Sequence, residues 1–196
     1  MGAADLAYNI GLLGHTDQGG RGDGVQVMVE DGYAYVGHMF SNGVTVLDVR
    51  DPRDPLPVTY LPAAPGTWNL HLQLAEGLLL VVDAVNLFAA AAFADESAYY
   101  GRSIGEVLAA RPPAEYSAGM RVYDLADPAA PRQIGFMAVD GFGLHRIWYV
   151  GGRWVLCLGA AARVQRLCAG HHRPGRPDPA EHRRHLVVAG HAAGRG

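Results

Sequence analysis

The chain has 196 residues, 49% of them hydrophobic, which is enough to bury a sizeable core and excludes wholesale disorder. The formal net charge of -3 gives no reason to expect nucleic acid or an anionic membrane as a partner. Two cysteines are too few for a disulfide scaffold or a zinc knuckle. The N-terminal residues lack the pattern of a secretory signal and no apolar run could span a bilayer, so the sequence predicts a cytoplasmic protein.

Short alternating strands begin after a Gly-rich entry segment of residues 1–22. The alternation predicts four strands, at 25–29, 33–37, 44–49 and 58–61. Glu30-Asp31-Gly32 and Ser41-Asn42-Gly43 separate the first three, and Asn-Gly suits the positive φ angles of a type I′ turn. Four short antiparallel strands in about 40 residues are the size of one β-propeller blade.

One stretch of the chain occurs twice. Residues 43–58 and 119–134 share Gly, Val, Asp, Asp-Pro and a second Pro at identical spacing. Such internal repetition indicates a repeat architecture. Asp48 and Asp124 each lie three residues before the Asp-Pro pair, and we expect their carboxylates to accept hydrogen bonds from nearby backbone N–H groups.

The same spacing aligns the first strands of three units, with further strands predicted at 69–74, 78–82 and 143–148. Three residues each lie six positions before a turn glycine and are therefore equivalent: Gln26, His71 and His145. Residues 86–118 form an insertion in the second unit, partly helical by composition, and such insertions form loops on one face of repeat proteins. The predicted fold is all-β, with two to three propeller-like, four-stranded antiparallel blades in residues 23–156 and an incomplete propeller overall.

Residues 157–196 lose the alternation and become rich in Pro, His and Arg. One interpretation is an irregular or disordered tail. The other is a frameshift near residues 154–157, because the codons for residues 166–178 permit a strand and an Asp-Leu-Ala-Asp-Pro turn when shifted by one nucleotide. The coding DNA decides between them, since codons that forbid the shifted frame contradict the frameshift hypothesis.

The units resemble the LVIVD-repeat family, whose repeats are predicted β-propeller blades. Residues 32–36, 44–52 and 120–131 carry the resemblance, which covers roughly residues 14–155 outside the insertion. Many members look like cell-surface proteins, whereas this chain has no export signal. It holds about two and a half units, and closed propellers have roughly 4 to 8 blades. The resemblance therefore implies an N-terminal part of a longer propeller.

Candidate ligand-binding residues follow from the propeller architecture, in which the first strand of each blade usually lines a central channel. Gln26, His71 and His145 are predicted to converge there, and His15 and His38 flank the first such strand. Histidine is a common metal ligand, so a divalent metal bound by His71 and His145 is one hypothesis. No zinc-motif spacing supports it, and the alternative is that these histidines cap strands and bond to backbone carbonyls.

Three further patterns carry weaker signals. Residues 101–105 match Gly-x-Ser-x-Gly around Ser103, but the surroundings are all-β, so a Gly-flanked loop entering a short helix is the favoured explanation. The glycine run of residues 19–22 could cradle an anion, but it lacks the Lys-Ser/Thr of a P-loop and no helix follows it. The tryptophans are expected in the core rather than as ligand platforms: Trp68, Trp148 and Trp154.

Two functions from different classes remain open at this point. The first, which the sequence favours, is a binding or scaffold module for a protein or small-molecule ligand. The second is a metal-dependent propeller enzyme that uses His71 and His145, with the insertion as a lid. A third interpretation is an inactive open fragment, because unpaired sheet edges favour aggregation or strand swapping.

Overall fold

The computed structural model describes residues 9–86, 101–103, 106 and 114–159, together with the backbone of residues 166–169 and 184–190. These residues form an all-β fold whose strands make three separate sheets, as the alternating pattern predicts. The predicted insertion at 86–118 and tail at 157–196 fall largely outside the described residues. Within the described part of the chain, no helix is long and apolar enough to cross a membrane.

The first sheet is a four-stranded antiparallel meander in the order β1-β2-β3-β4. Its strands are β1 (Gly24–Glu30), β2 (Tyr33–His38), β3 (Val44–Asp48) and β4 (Leu56–Leu61). Asp31 and Gly32 both have positive φ, which matches the right-handed strand twist in a two-residue hairpin. Asn42 and Gly43 also have positive φ, as predicted, although they close a longer connection between β2 and β3. A Cβ on Gly43 would lie 2.4 Å from the Leu61 carbonyl oxygen, so only glycine fits there.

The second sheet repeats this meander with its first strand broken in two. Its strands are β5 (Thr67–Trp68), β6 (Leu72–Ala75), β7 (Leu78–Val85), β8 (Gly119–Asp124) and β9 (Arg132–Ala138). Both β5 and β6 pair antiparallel with β7, and β7, β8 and β9 continue the order. The first two sheets therefore have the blade-like antiparallel form predicted from the sequence.

The third sheet begins in the same way but continues differently. The strands β10 (Leu144–Trp148) and β11 (Trp154–Gly159) form an antiparallel hairpin. Next to β11 lies β13 (Arg184–Gly190), which is parallel to β11 and antiparallel to β12 (Arg166–Ala169). The strand order β10-β11-β13-β12 thus departs from the plain meander of the first two sheets.

The two Asp-Pro segments make the same hydrogen bonds. Asp48 accepts from the Arg50 N–H at 3.1 Å, and Asp124 accepts from the Ala126 N–H at 3.0 Å, which confirms that both carboxylates form their turns. The following turns match as well, because Asp51 and Asp127 each accept from the backbone N–H two residues further on. Identical spacing in sequence therefore produces identical local geometry.

Two apolar clusters join the sheets face to face. The cluster between the first and second sheets consists of Tyr35, Val44, Val46, Leu72, Leu79, Val81, Tyr123 and Leu125. The cluster between the second and third sheets includes Leu80, Val82, Met120, Val122, Leu144, Ile147, Val155 and Cys157. The second sheet is therefore covered on both faces, which explains why all eight residues of β7 are buried.

One expectation, the burial of the tryptophans, fails against this packing. Trp148 and Trp154 are 59% and 56% exposed rather than in the core, because they lie on the face of the third sheet that points away from the second. Residue type alone predicts burial of tryptophan, whereas strand parity decides which face carries it.

Candidate functional site

The first strands of the three sheets bring the three equivalent residues together. Gln26 lies on β1, His71 immediately precedes β6 and His145 lies on β10. The Nδ1 atom of His71 is 3.2 Å from the Oε1 atom of Gln26. The rings of His71 and His145 meet edge to face, with centroids 5.4 Å apart and an interplanar angle of 77°. This cluster of Gln26, His71 and His145 is hereafter the inner polar cluster.

Gln26 is held by the backbone of the neighbouring sheet. Its Nε2 atom donates to the Leu72 carbonyl oxygen at 2.9 Å, and its Oε1 atom accepts from the Leu72 N–H at 3.2 Å. These two bonds fix the orientation of the amide, so Oε1 faces His71 as an acceptor. The His71 Nδ1 atom therefore carries the proton, and its Nε2 atom carries a lone pair. Gln26 thus links the first sheet to the second by hydrogen bonds and also sets the tautomer of His71.

His71 is neutral at physiological pH. Burial of its ring, which leaves the residue 7% exposed, lowers the pKa of His71 to about 4, and the nearby Arg146 and His145 act in the same direction. By contrast, His145 and Arg146 are exposed. The cluster therefore has a buried, oriented half and an open half that lies beside the Arg146 cation.

The lowered pKa of His71 predicts a loss of stability in acid. The unfolded chain takes up the proton near pH 6.5, whereas the folded chain resists it until about pH 4, so the free energy of unfolding falls as pH drops through this window. We expect a fall of about 2–3 kcal/mol from this group. Urea unfolding at pH 7 and pH 4.5 should show a smaller fall for His71→Gln than for the wild type. His15→Gln, in the exposed entry segment, is the matched control, and an equal fall in His71→Gln would contradict the assignment.

The described residues bring two histidine rings together but place no third metal ligand beside them. Among the residues that the structure describes, no group of three or more His, Cys, Asp and Glu side chains is placed to hold a metal ion. His15 is exposed in the entry segment, and His38 belongs to a different network. Of the five candidates, the structure gathers Gln26, His71 and His145 and leaves His15 and His38 elsewhere.

His38 is the centre of a buried network with Asp23 and Thr45. Its Nδ1 atom is 3.1 Å from Asp23 Oδ1, and its Nε2 atom is 2.7 Å from Thr45 Oγ1. Asp23 also accepts from Phe40 N–H, Ser41 N–H and Ser41 Oγ–H, each at 2.6 Å. Although burial opposes it, these donors lower the pKa of Asp23 to about 2.

The Asp-His-Thr order has the connectivity of a nucleophilic triad, but its setting is structural. His38 is 0% exposed and Thr45 is 1% exposed, so no substrate carbonyl can reach the hydroxyl. Because ionised Asp23 can only accept, His38 Nδ1 donates to it and His38 Nε2 accepts from Thr45. Burial is also the main cause of the lowered pKa of His38, which keeps the ring neutral.

The second sheet places another polar network at the equivalent positions. Asp83 and His38 each lie six residues after a turn glycine. Arg121 lies two residues after Gly119, as Thr45 does after Gly43.

The network in the second sheet is centred on Asp83. Arg121 Nε donates to both Asp83 oxygens, at 2.9 and 2.8 Å, and Asn69 Nδ2 donates to Asp83 Oδ1 at 2.6 Å. Neither network was predicted from the sequence, although polar residues in otherwise apolar strands were a usable signal.

The polar side chains of the two remaining motifs make structural contacts. Glu106 Oε2 accepts from the Ser103 N–H at 2.9 Å, and Ser103 Oγ accepts from the Glu106 N–H at 3.4 Å, which is the reciprocal pattern of a helix capping box. In the Gly-rich loop, Asp17 accepts from the Gly19 N–H and Arg21 stacks over the Tyr60 ring. Neither arrangement supports the nucleophile or the anion cradle considered above.

Comparison with known proteins gives no family assignment: neither a scan against protein-family models nor a search of curated proteins finds a match.

Proposed function

We propose that the chain is a binding or scaffold module built from LVIVD-like propeller blades, with its ligand contacted at the inner polar cluster. The observation that carries the proposal is the convergence of Gln26, His71 and His145 from three successive sheets. Sites where several elements converge on a few oriented polar groups are typical of ligand binding. Hydrogen bonds to the Leu72 backbone hold the buried half of the cluster, and His145 is exposed.

The charges around the cluster favour an anionic or acceptor-rich group on the ligand. Arg146 and His145 are the charged or polar neighbours that act on the pKa of His71, and both lower it. A positive local field attracts carboxylate or phosphate groups. A small anion or an acidic side chain of a partner protein therefore suits the open half of the cluster.

We expect citrate or inorganic phosphate to shift the imidazole signals of His145 in an NMR titration of the full chain. Arg146→Ala should abolish the saturable shift because it removes the cation that acts on His71. Arg153→Ala is the matched control, because Arg153 is an exposed arginine that stacks over Trp154 instead. No saturable shift with either anion, or an equal loss in Arg153→Ala, would contradict the proposal.

The metal-dependent enzyme is the second candidate, and the meeting of the His71 and His145 rings is the observation that favours it. Zn²⁺ titration of the same sample separates the two. Saturable binding at these rings that is lost in His71→Gln and His145→Gln would favour the enzyme, whereas anion binding without metal binding favours the module.

A further inference from the structure

The outermost sheets each leave an apolar face open. On the third sheet, the exposed side chains of Trp148, Trp154, Leu156 and Leu158 point away from the second sheet and are 56–59% exposed. These four side chains are called the trailing face. On the first sheet, Val27 and Val29 of β1 are 58% and 62% exposed on the side opposite the second sheet. This is the leading face.

Trp154 of the trailing face occupies a position that is buried in the other two sheets. Trp154 lies three residues after Gly151, as Tyr35 does after Gly32 and Leu80 after Gly77. Tyr35 and Leu80 are each 0% exposed, and each packs against the sheet that follows its own. The trailing face is therefore the side that receives a following sheet.

The leading face has the complementary equivalence. Val27 and Val29 lie five and three residues before Gly32, as Leu72 and Leu74 do before Gly77. Leu72 and Leu74 pack against the preceding sheet in the cluster between the first and second sheets. The leading face is therefore the side that a preceding sheet covers, so the two open faces are complementary halves of the interface that the chain already uses internally.

We propose that two copies of the chain associate head to tail, with the trailing face of each copy packed on the leading face of the other. Such a heterologous contact forms a closed ring when its rotation closes, and two copies then make two identical interfaces. Three sheets from each copy give six in the ring, within the roughly 4 to 8 blades of closed propellers. The partner is a second copy because the internal interfaces already pair these two kinds of face.

The first test is the mass of the full chain by light scattering across a concentration series. We expect a plateau at twice the 20.9 kDa of one chain. A mass that stays at one chain overturns the proposal, and so does a mass that grows without a plateau, which indicates an open filament. Neither outcome depends on a variant being folded.

The second test locates the interface. Leu156→Glu on the trailing face and Val27→Glu on the leading face should each weaken dimerisation roughly 30-fold or more, because each places a charge in an apolar interface. Leu56→Glu is the matched control, since Leu56 is 50% exposed but pairs with Asp48 on the other face of the first sheet. Circular dichroism of each variant establishes that the sheets remain folded.

Mixing the two variants distinguishes head-to-tail from face-to-face pairing. In an equimolar mixture, the intact leading face of Leu156→Glu meets the intact trailing face of Val27→Glu, so one interface is restored and dimer should reappear. If Val27→Glu dimerises like the wild type and the mixture gains nothing, the trailing faces pair with each other, and the head-to-tail proposal is wrong.

Discussion

Replacing Arg121 by methionine is expected to lower the free energy of unfolding by about 3–5 kcal/mol, because it leaves the buried carboxylate of Asp83 without its cation. Asp83 is 0% exposed, and Arg121 holds it through Nε and Nη2. Methionine preserves most of the side-chain volume, so the loss reports the charge rather than a cavity. Urea or guanidinium unfolding followed by circular dichroism measures it.

Two further variants test the physical cause. Arg50→Met removes the partner of Asp48, but Arg50 is 67% exposed in that pair, so we expect little change in stability. The double variant Asp83→Leu plus Arg121→Met removes both charges and should be more stable than Arg121→Met alone. A double variant that is no more stable than Arg121→Met would show that packing, not the unpaired charge, causes the loss of stability.

Replacing Asp23 by alanine should cost about 3 kcal/mol, because its carboxylate is the shared acceptor for two backbone N–H groups, the Ser41 hydroxyl and His38. The exposed turn residue Asp51, which accepts from the Arg53 N–H, provides the matched control Asp51→Ala, with a much smaller expected loss. Similar losses for the two variants would contradict a special role for the Asp23 network.

The Asp23 network also has a pH signature. Because the pKa of Asp23 is lowered to about 2 in the folded chain, its stabilisation is complete above the unfolded value of about 3.9 and is lost as pH falls towards 2. Asp23→Asn should lack this part of the acid dependence. The window lies below that of His71, so unfolding curves collected between pH 7 and pH 2 separate the two groups.

The sheets and their turns could be predicted because each signal was local. Alternation places apolar residues on one face of a strand, and Asp-Gly and Asn-Gly turns supply the positive φ angles seen at Asp31, Gly32, Asn42 and Gly43. Counting from the turn glycines also aligned Gln26, His71 and His145, which the structure places in one cluster. Periodicity and spacing therefore carry information across long stretches of chain when units repeat.

The polar networks could not be found in the same way, because their members meet only through strand pairing. Asp23 and Thr45 are far apart in the sequence and come together because Gly24 pairs with His38 and Val36 with Thr45. The exposure of Trp154 likewise depends on which face of β11 it occupies. Both features follow from register, which the sequence specifies through side-chain packing that alternation alone does not reveal.

The two equivalent networks use different chemistry, and this difference has a consequence for folding fidelity. His38 and Thr45 form a neutral pair in the first sheet, whereas Asp83 and Arg121 form a charged pair in the second. If strands were exchanged between the sheets, Asp83 would face a threonine hydroxyl and Arg121 a neutral imidazole, each as a buried charge without its counter-ion. Tandem units with similar strands are prone to such misassembly. The mismatched polar pairs destabilise the exchanged arrangement, so each strand pairs preferentially within its own sheet.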